Sequence, residues 1–194
     1  MTTDIHTITR HFLELDALKR VNRRSYIHGG ERLENSAEHS WHLAMACWSL
    51  ARSFDLGLDE GKLLKLALVH DLGEIDAGDT FLFASQRADA HRAERECVQR
   101  LAAHDGNGIQ DLEAIWEEQE SGQSPETRLL KVVDRLLPFM LNMASEGRTW
   151  RDAGVTRSQV EKALAFIETE FPPIFAWMQA NIGLAVEQGW LIDA

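Results

Sequence analysis

Apolar residues recur three and four positions apart along almost the whole chain, the period of an α-helix with one buried face. The clearest stripe is Leu43, Ala46, Cys47, Leu50, Ala51 and Phe54. Helix-start signals precede such stripes. Asn35 with Glu38 three residues on forms a capping box, which opens a helix running to about Phe54. Asp59 caps the next helix, which runs to about Leu72, and Gly73 suits the position just past its end. Ser124 and Pro125 open another, to about Glu146, with Pro138 inside it as an expected bend. The same pattern predicts a first helix over about residues 4–20 and others over about 85–104 and 108–120. Two more flank Pro172-Pro173, within about 156–190. RRSYIHGGERLEN, after the first helix, reads as a loop around Gly29-Gly30. No strand-length alternation, Asn-Gly hairpin pair or internal repeat is visible. The expectation is an all-α fold, one domain over residues 1–194.

Composition narrows the class. A chain of 194 residues, 44% hydrophobic, can bury one good core. No apolar stretch approaches the roughly 18 uncharged residues of a membrane span. The opening MTTDIHTITRHF lacks the regions of a signal peptide. Cys47 and Cys97 are the only cysteines, and both fall in helical patterns, so no disulfide framework is expected and a reducing cytoplasm fits best. The net charge of −11 repels nucleic-acid backbone and argues against a polymer partner. It leaves room for a small phosphorylated ligand, where a few cations or a metal reverse the local sign.

Some charged residues lie where the pattern calls for apolar ones. His39 is one turn before Leu43, on the same face. His70 and Asp71 are one turn beyond Leu66 and Ala67, and Asp134 is one turn beyond Leu130 on the stripe that continues to Leu137 and Leu141. Two histidines and two aspartates therefore point inward from three helices. A buried carboxylate costs several kcal/mol unless it is paired or bound to a cation. No Lys or Arg shares these stripes. One divalent metal held by His39, His70, Asp71 and Asp134 resolves the conflict; the donor set suits Mn, Co, Zn, Fe, Ni or Mg.

His39, then His70-Asp71, then Asp134 resemble the H…HD…D signature of the HD-domain metal-dependent phosphohydrolases. The surrounding words LKRVNR, ENSAEHSWHLA, LALVHDLGEIDAGD and IWEEQESGQSPETRLLKVVDRL are similar to the subgroup that holds the YfbR-like 5′-deoxynucleotidases, over about residues 10–146. The resemblance implies a helical bundle with the metal in a cleft, hydrolysis of (deoxy)nucleoside 5′-monophosphates, and a homodimer. It implies His39, His70, Asp71 and Asp134 as metal ligands, Glu74 as the acid/base and Asp79 as a second acidic active-site residue. It implies Arg23 as the residue that reaches the substrate phosphate. Glu34 and Glu38 read as capping and dipole partners, Glu117 and Glu118 as neighbours of the site or an interface. His91 and His104 are candidates for a second metal. Trp150, Trp177 and Trp190 suggest packing or a subunit interface. Competing expectations keep the fold but change the substrate to another phosphomonoester or a guanosine polyphosphate, or make the site a metal- and nucleotide-binding module without turnover.

Overall fold

The computed structural model describes residues 4–83 and 87–194, and only the backbone of 87–89. The chain is helical almost throughout. In order it forms α1 (Ile5–Asp16), a 3-10 turn (Ala17–Arg20), β1 (Asn22–Tyr26), β2 (Leu33–Asn35), α2 (Ser36–Ser53), α3 (Glu60–Val69) and α4 (Glu74–Ala77). It continues through α5 (Arg87–Ala102), α6 (Leu112–Ser121), α7 (Pro125–Ala144), α8 (Arg148–Ala153), α9 (Arg157–Leu164), α10 (Ile167–Glu170) and α11 (Pro172–Glu187). Residues 85 and 86, expected to begin the fourth helix, lie outside the described residues.

The capping chemistry forms as expected. The Asn35 side chain accepts from the Glu38 amide while the Glu38 side chain accepts from the Asn35 amide. Asp59 caps α3 through the Lys62 amide, and Ser124 caps α7 through Thr127. The stripes of α2, α3 and α7 then close on one another. Leu43, Cys47, Leu63, Leu66, Leu130, Val133 and Leu137 are buried in one core, which Ile167, Met178 and Ile182 extend into the C-terminal helices. A smaller core under α5 and α6 holds Leu18, Leu72, Val98, Leu101 and Trp116. The helix α7 runs on through Pro138, whose carbonyl accepts from Asn142 Nδ2 at 3.0 Å. Trp150 is core, packed edge-on against Phe139, whereas Trp177 is 44% exposed.

Two expectations need correction. RRSYIHGGERLEN is not a plain loop but an antiparallel hairpin, with Asn22 opposite Asn35 and Tyr26 opposite Leu33. Gly29 and Gly30, at φ +103° and +75°, turn it. Its buried positions are Ser25 and Glu34, with Arg23 half-buried beside them, so no apolar alternation marks it in the sequence. Gly73 is also not a left-handed helix terminator; its φ is −61°. A Cβ there would lie 2.5 Å from Glu94 Cβ and 2.8 Å from Glu94 Cα, so the glycine is needed for close approach of α5. Among the described residues no helix is long and apolar enough to cross a membrane.

Candidate metal centre

Side chains from α2, α3 with the turn after it, and α7 meet beside a cleft of about 530 Å³ that His70, Asp71 and Asp134 line. The first turn of α2 supplies His39, fully buried. The end of α3 supplies His70 and Asp71, and the middle of α7 supplies Asp134. His39 Nε2 lies 3.0 Å from Asp134 Oδ1, and the His39 and His70 rings are 5.3 Å apart. His70 Nε2 is 3.0 Å from Asp71 Oδ1. One donor atom each from His39, His70 and Asp71 falls within a 4.8 Å span; among the described residues no other His, Cys, Asp and Glu form such a group. Asp134 is not one of that group of three but adjoins it through His39, although 95 positions separate the two.

The cation missing from the helix stripes comes from the hairpin. β1 carries Arg23 into the centre, where its Nη1 donates to Asp71 Oδ2 at 2.7 Å. Glu34, Asp79, Asp134 and Glu74 stand 3.7, 3.8, 3.9 and 4.0 Å from the same guanidinium. Arg135 donates to the other oxygen of Asp134. Five carboxyl groups therefore face two guanidiniums, a surplus of negative charge.

Glu74 opens the short α4, and its Oε2 accepts from Ser36 Oγ at 2.5 Å. Burial, then the neighbouring Asp71, lifts its pKa to about 8. Asp79 follows Gly78, whose φ of +77° turns the chain back toward the site; burial raises its pKa too. Burial disfavours charge on His70, but Asp71 outweighs burial and lifts its pKa to about 9. Burial pushes Asp71 the other way, yet His70 and Arg23 hold it at about 2. Asp134 is held well below the ordinary range: burial opposes this, and Arg135 and His39 win.

These residues fit a divalent cation. His70 Nδ1 lies 2.8 Å from the Ala67 carbonyl, which leaves the buried Nε2 facing the site, 3.0 Å from Asp71 Oδ1 but not aligned with it as a hydrogen bond. Such backbone anchoring of the far ring nitrogen is how metal-binding histidines are oriented. The surplus negative charge and the mixed imidazole and carboxylate donors suit the same kind of ion.

Sequence reasoning missed two supports. In WEEQE the residues that reach the site are Trp116 and Gln119, whose side chains donate to the His70 carbonyl at 3.2 and 3.4 Å. Glu117 pairs with Arg95 and Glu118 with Lys62. His91 pairs with Glu120, and His104 stacks on His11, so neither joins the cluster.

The chain is similar to known proteins over most of its length. The chain is 30% identical over 122 residues to the 5′-deoxynucleotidase HDDC2 of Danio rerio, a match spanning 61% of this chain and 60% of that one. It is 29% identical over 163 residues to a 5′-deoxynucleotidase of Cronobacter sakazakii, covering 79% and 81%. A crystal structure described as a predicted metal-dependent phosphohydrolase from Magnetospirillum magnetotacticum superposes with a TM-score of 0.85 at 33% identity, over 98% of this chain and 99% of that one. Residues 15–174, which contain every residue of the cluster, match the HD domain. The chain belongs to the HD-domain family.

Proposed function

We propose that this protein is a metal-dependent phosphomonoesterase that hydrolyses (deoxy)nucleoside 5′-monophosphates to nucleoside and phosphate. The carrying observation is the meeting of His39, His70 and Asp71, with Asp134 against His39, and Arg23 and Glu74 beside them. The names of its relatives support the substrate class. Those four residues would hold one divalent ion, which when bound polarises the phosphoryl group and makes water a better nucleophile at neutral pH.

The chain's own residues supply the rest. Arg23 presents a planar donor fork that orients the phosphate and offsets its charge. Glu74 holds a proton in the neutral range. Ser36 occupies its Oε2, so Oε1 is the oxygen that exchanges the proton with the leaving 5′ oxygen or the attacking water. Asp79, on the same face, orients the sugar or that water. Beyond the charged end the cleft is walled by Phe81, Phe83, Phe139, Leu164 and Phe166, which give the nucleoside an apolar bed and exclude water.

The same reading makes the enzyme cytoplasmic and homodimeric. Cys47 and Cys97 are buried free thiols, and α2 exposes Trp41, Met45 and Trp48 along its outer face. Sedimentation at the monomer mass of 21.9 kDa rejects the dimer. The activity is tested by phosphate release from each deoxynucleoside and ribonucleoside 5′-monophosphate with single added divalent ions. Turnover that Glu74→Ala abolishes while metal still binds supports the enzyme. A folded, metal-loaded protein that turns over none of them rejects it and favours a binding module.

A further inference from the structure

We propose that Glu34 is a positioning residue that fixes both His39 and Arg23. Six buried side-chain polar atoms among the described residues lack a hydrogen bond. Three of them, Arg23 Nε, Glu34 Oε2 and His39 Nδ1, belong to one small group. Glu34 Oε2 lies 3.4 Å from His39 Nδ1 and 3.7 Å from Arg23 Nε. Glu34 is 4% exposed and His39 is fully buried, so water does not readily satisfy these atoms. Each buried polar group left unpaired costs about 1–3 kcal/mol. One carboxylate oxygen can accept from both donors, and closing the gaps to about 2.9 Å gives two ordinary hydrogen bonds.

Capping does not explain Glu34. The N-terminus of α2 is already closed by Asn35 and Glu38, and Glu38 also pairs with Arg32. His42 Nδ1, at 4.0 Å from the other Glu34 oxygen, is too far to hold it. Two consequences follow from the shared acceptor. With Nδ1–H directed at Glu34, His39 keeps the lone pair of Nε2 free for the metal, which would replace the 3.0 Å contact that Nε2 makes with Asp134 Oδ1. The Arg23 Nε–H is tied back on the same oxygen, which sets the plane of the guanidinium fork. Glu34 thus couples a metal ligand to the phosphate-orienting arginine without touching either substrate or metal.

The inference rests on the metal-centre reading, and the test separates the two. Zinc-loaded protein with ¹⁵N-labelled histidine rings is compared as wild type and Glu34→Gln by two-bond ¹H–¹⁵N correlation, alongside zinc affinity by chelator competition. In the wild type, the His39 Nδ1–H is expected to be protected and shifted downfield. In Glu34→Gln that signal loses protection, while the His70 Nδ1–H on the Ala67 carbonyl is unchanged. Zinc affinity falls about 10- to 100-fold, the usual effect of losing such an outer partner. Wild-type affinity and an unchanged His39 signal in Glu34→Gln overturn the inference alone. If Glu34→Gln does not fold, the wild-type spectrum decides: an unprotected His39 Nδ1–H overturns the inference, and a protected one supports it. A folded wild type that binds no zinc or other divalent ion overturns the metal centre, and this inference with it.

Discussion

Replacing Arg23 by Met removes the cation on which five carboxyl groups converge and keeps most of the side-chain volume. Asp71 loses a 2.7 Å hydrogen bond, and Glu34, Asp79, Asp134 and Glu74 lose a positive charge within 4.0 Å. Arg23 and Asp71 side chains are only 13% and 11% exposed, so solvent screens little of the change. Breaking a buried pair by deleting one partner costs about 3–5 kcal/mol. For a chain of this length that lowers Tm by roughly 6–20 °C in metal-free buffer. A divalent cation then does more for the variant than for the wild type, because the orphaned acids bind it with no competing guanidinium. At about a hundred times Kd a ligand stabilises by about 2.7 kcal/mol, enough to recover much of the loss. The assay is thermal unfolding of both proteins in chelator and over a metal titration. A metal-free loss under about 3 °C, or equal metal-induced shifts in the two proteins, refutes the argument that Arg23 is the counter-charge of this site.

Metal affinity rises with pH between 7 and about 9, because the ion must displace the His70 proton. The slope is about tenfold per pH unit while that proton is bound and flattens above pH 9; a calorimetric titration that shows no proton release and no slope contradicts this. Glu74→Gln lowers kcat by about 10²–10⁴-fold with metal affinity intact, which paired kinetic and binding titrations check. The same substitution has a pH signature in metal-free protein. The folded state keeps the Glu74 proton up to about pH 8 whereas the unfolded chain releases it near 4.5, so the contribution of Glu74 to wild-type stability is full below pH 4.5 and is lost through that window. The Tm of Glu74→Gln relative to wild type therefore climbs from pH 4.5 to 8; a constant difference contradicts the raised pKa. Gly73→Ala forces a Cβ to within 2.8 Å of the Glu94 backbone and costs about 1–3 kcal/mol, read as a fall in the urea midpoint at unchanged m-value.

The inward placement of the candidate site residues was legible because apolar spacing is a strong signal on helices. Once Leu43, Leu66 and Leu130 are placed inward, His39, His70 and Asp134 have nowhere else to point, and the structure brings them together: His70 and Asp134 line the cleft and His39 touches both from behind. Caps were equally legible, since Asn35, Asp59 and Ser124 act on amides two or three residues away. Gly73 was misread because its constraint is Glu94, a contact across two helices that no local pattern encodes.

The hairpin was illegible for a more instructive reason. A strand is found in a sequence by apolar alternation, and here the alternating inward residues are Arg23 and Ser25 on β1, facing Glu34 on β2. The hairpin docks less by apolar burial than by polar and charged contacts. Arg23 lies among the acids of the site, Thr149 Oγ1 donates to the Arg24 carbonyl at 2.9 Å, and the Arg148 guanidinium stacks 3.8 Å over the Tyr26 ring. A segment held this way breaks the local rule that buried means apolar, and such breaks concentrate where a protein binds or reacts. The absence of Lys or Arg from the helix stripes was therefore correct for the helices and incomplete for the site. The larger counter-charge, Arg23, sits on a hairpin whose buried positions, Ser25 and Glu34, are polar. The acidic words of the sequence and the unreadable loop meet in one centre, where Arg23 offsets part of the charge of five carboxyl groups, so perturbing the acids loosens the hairpin.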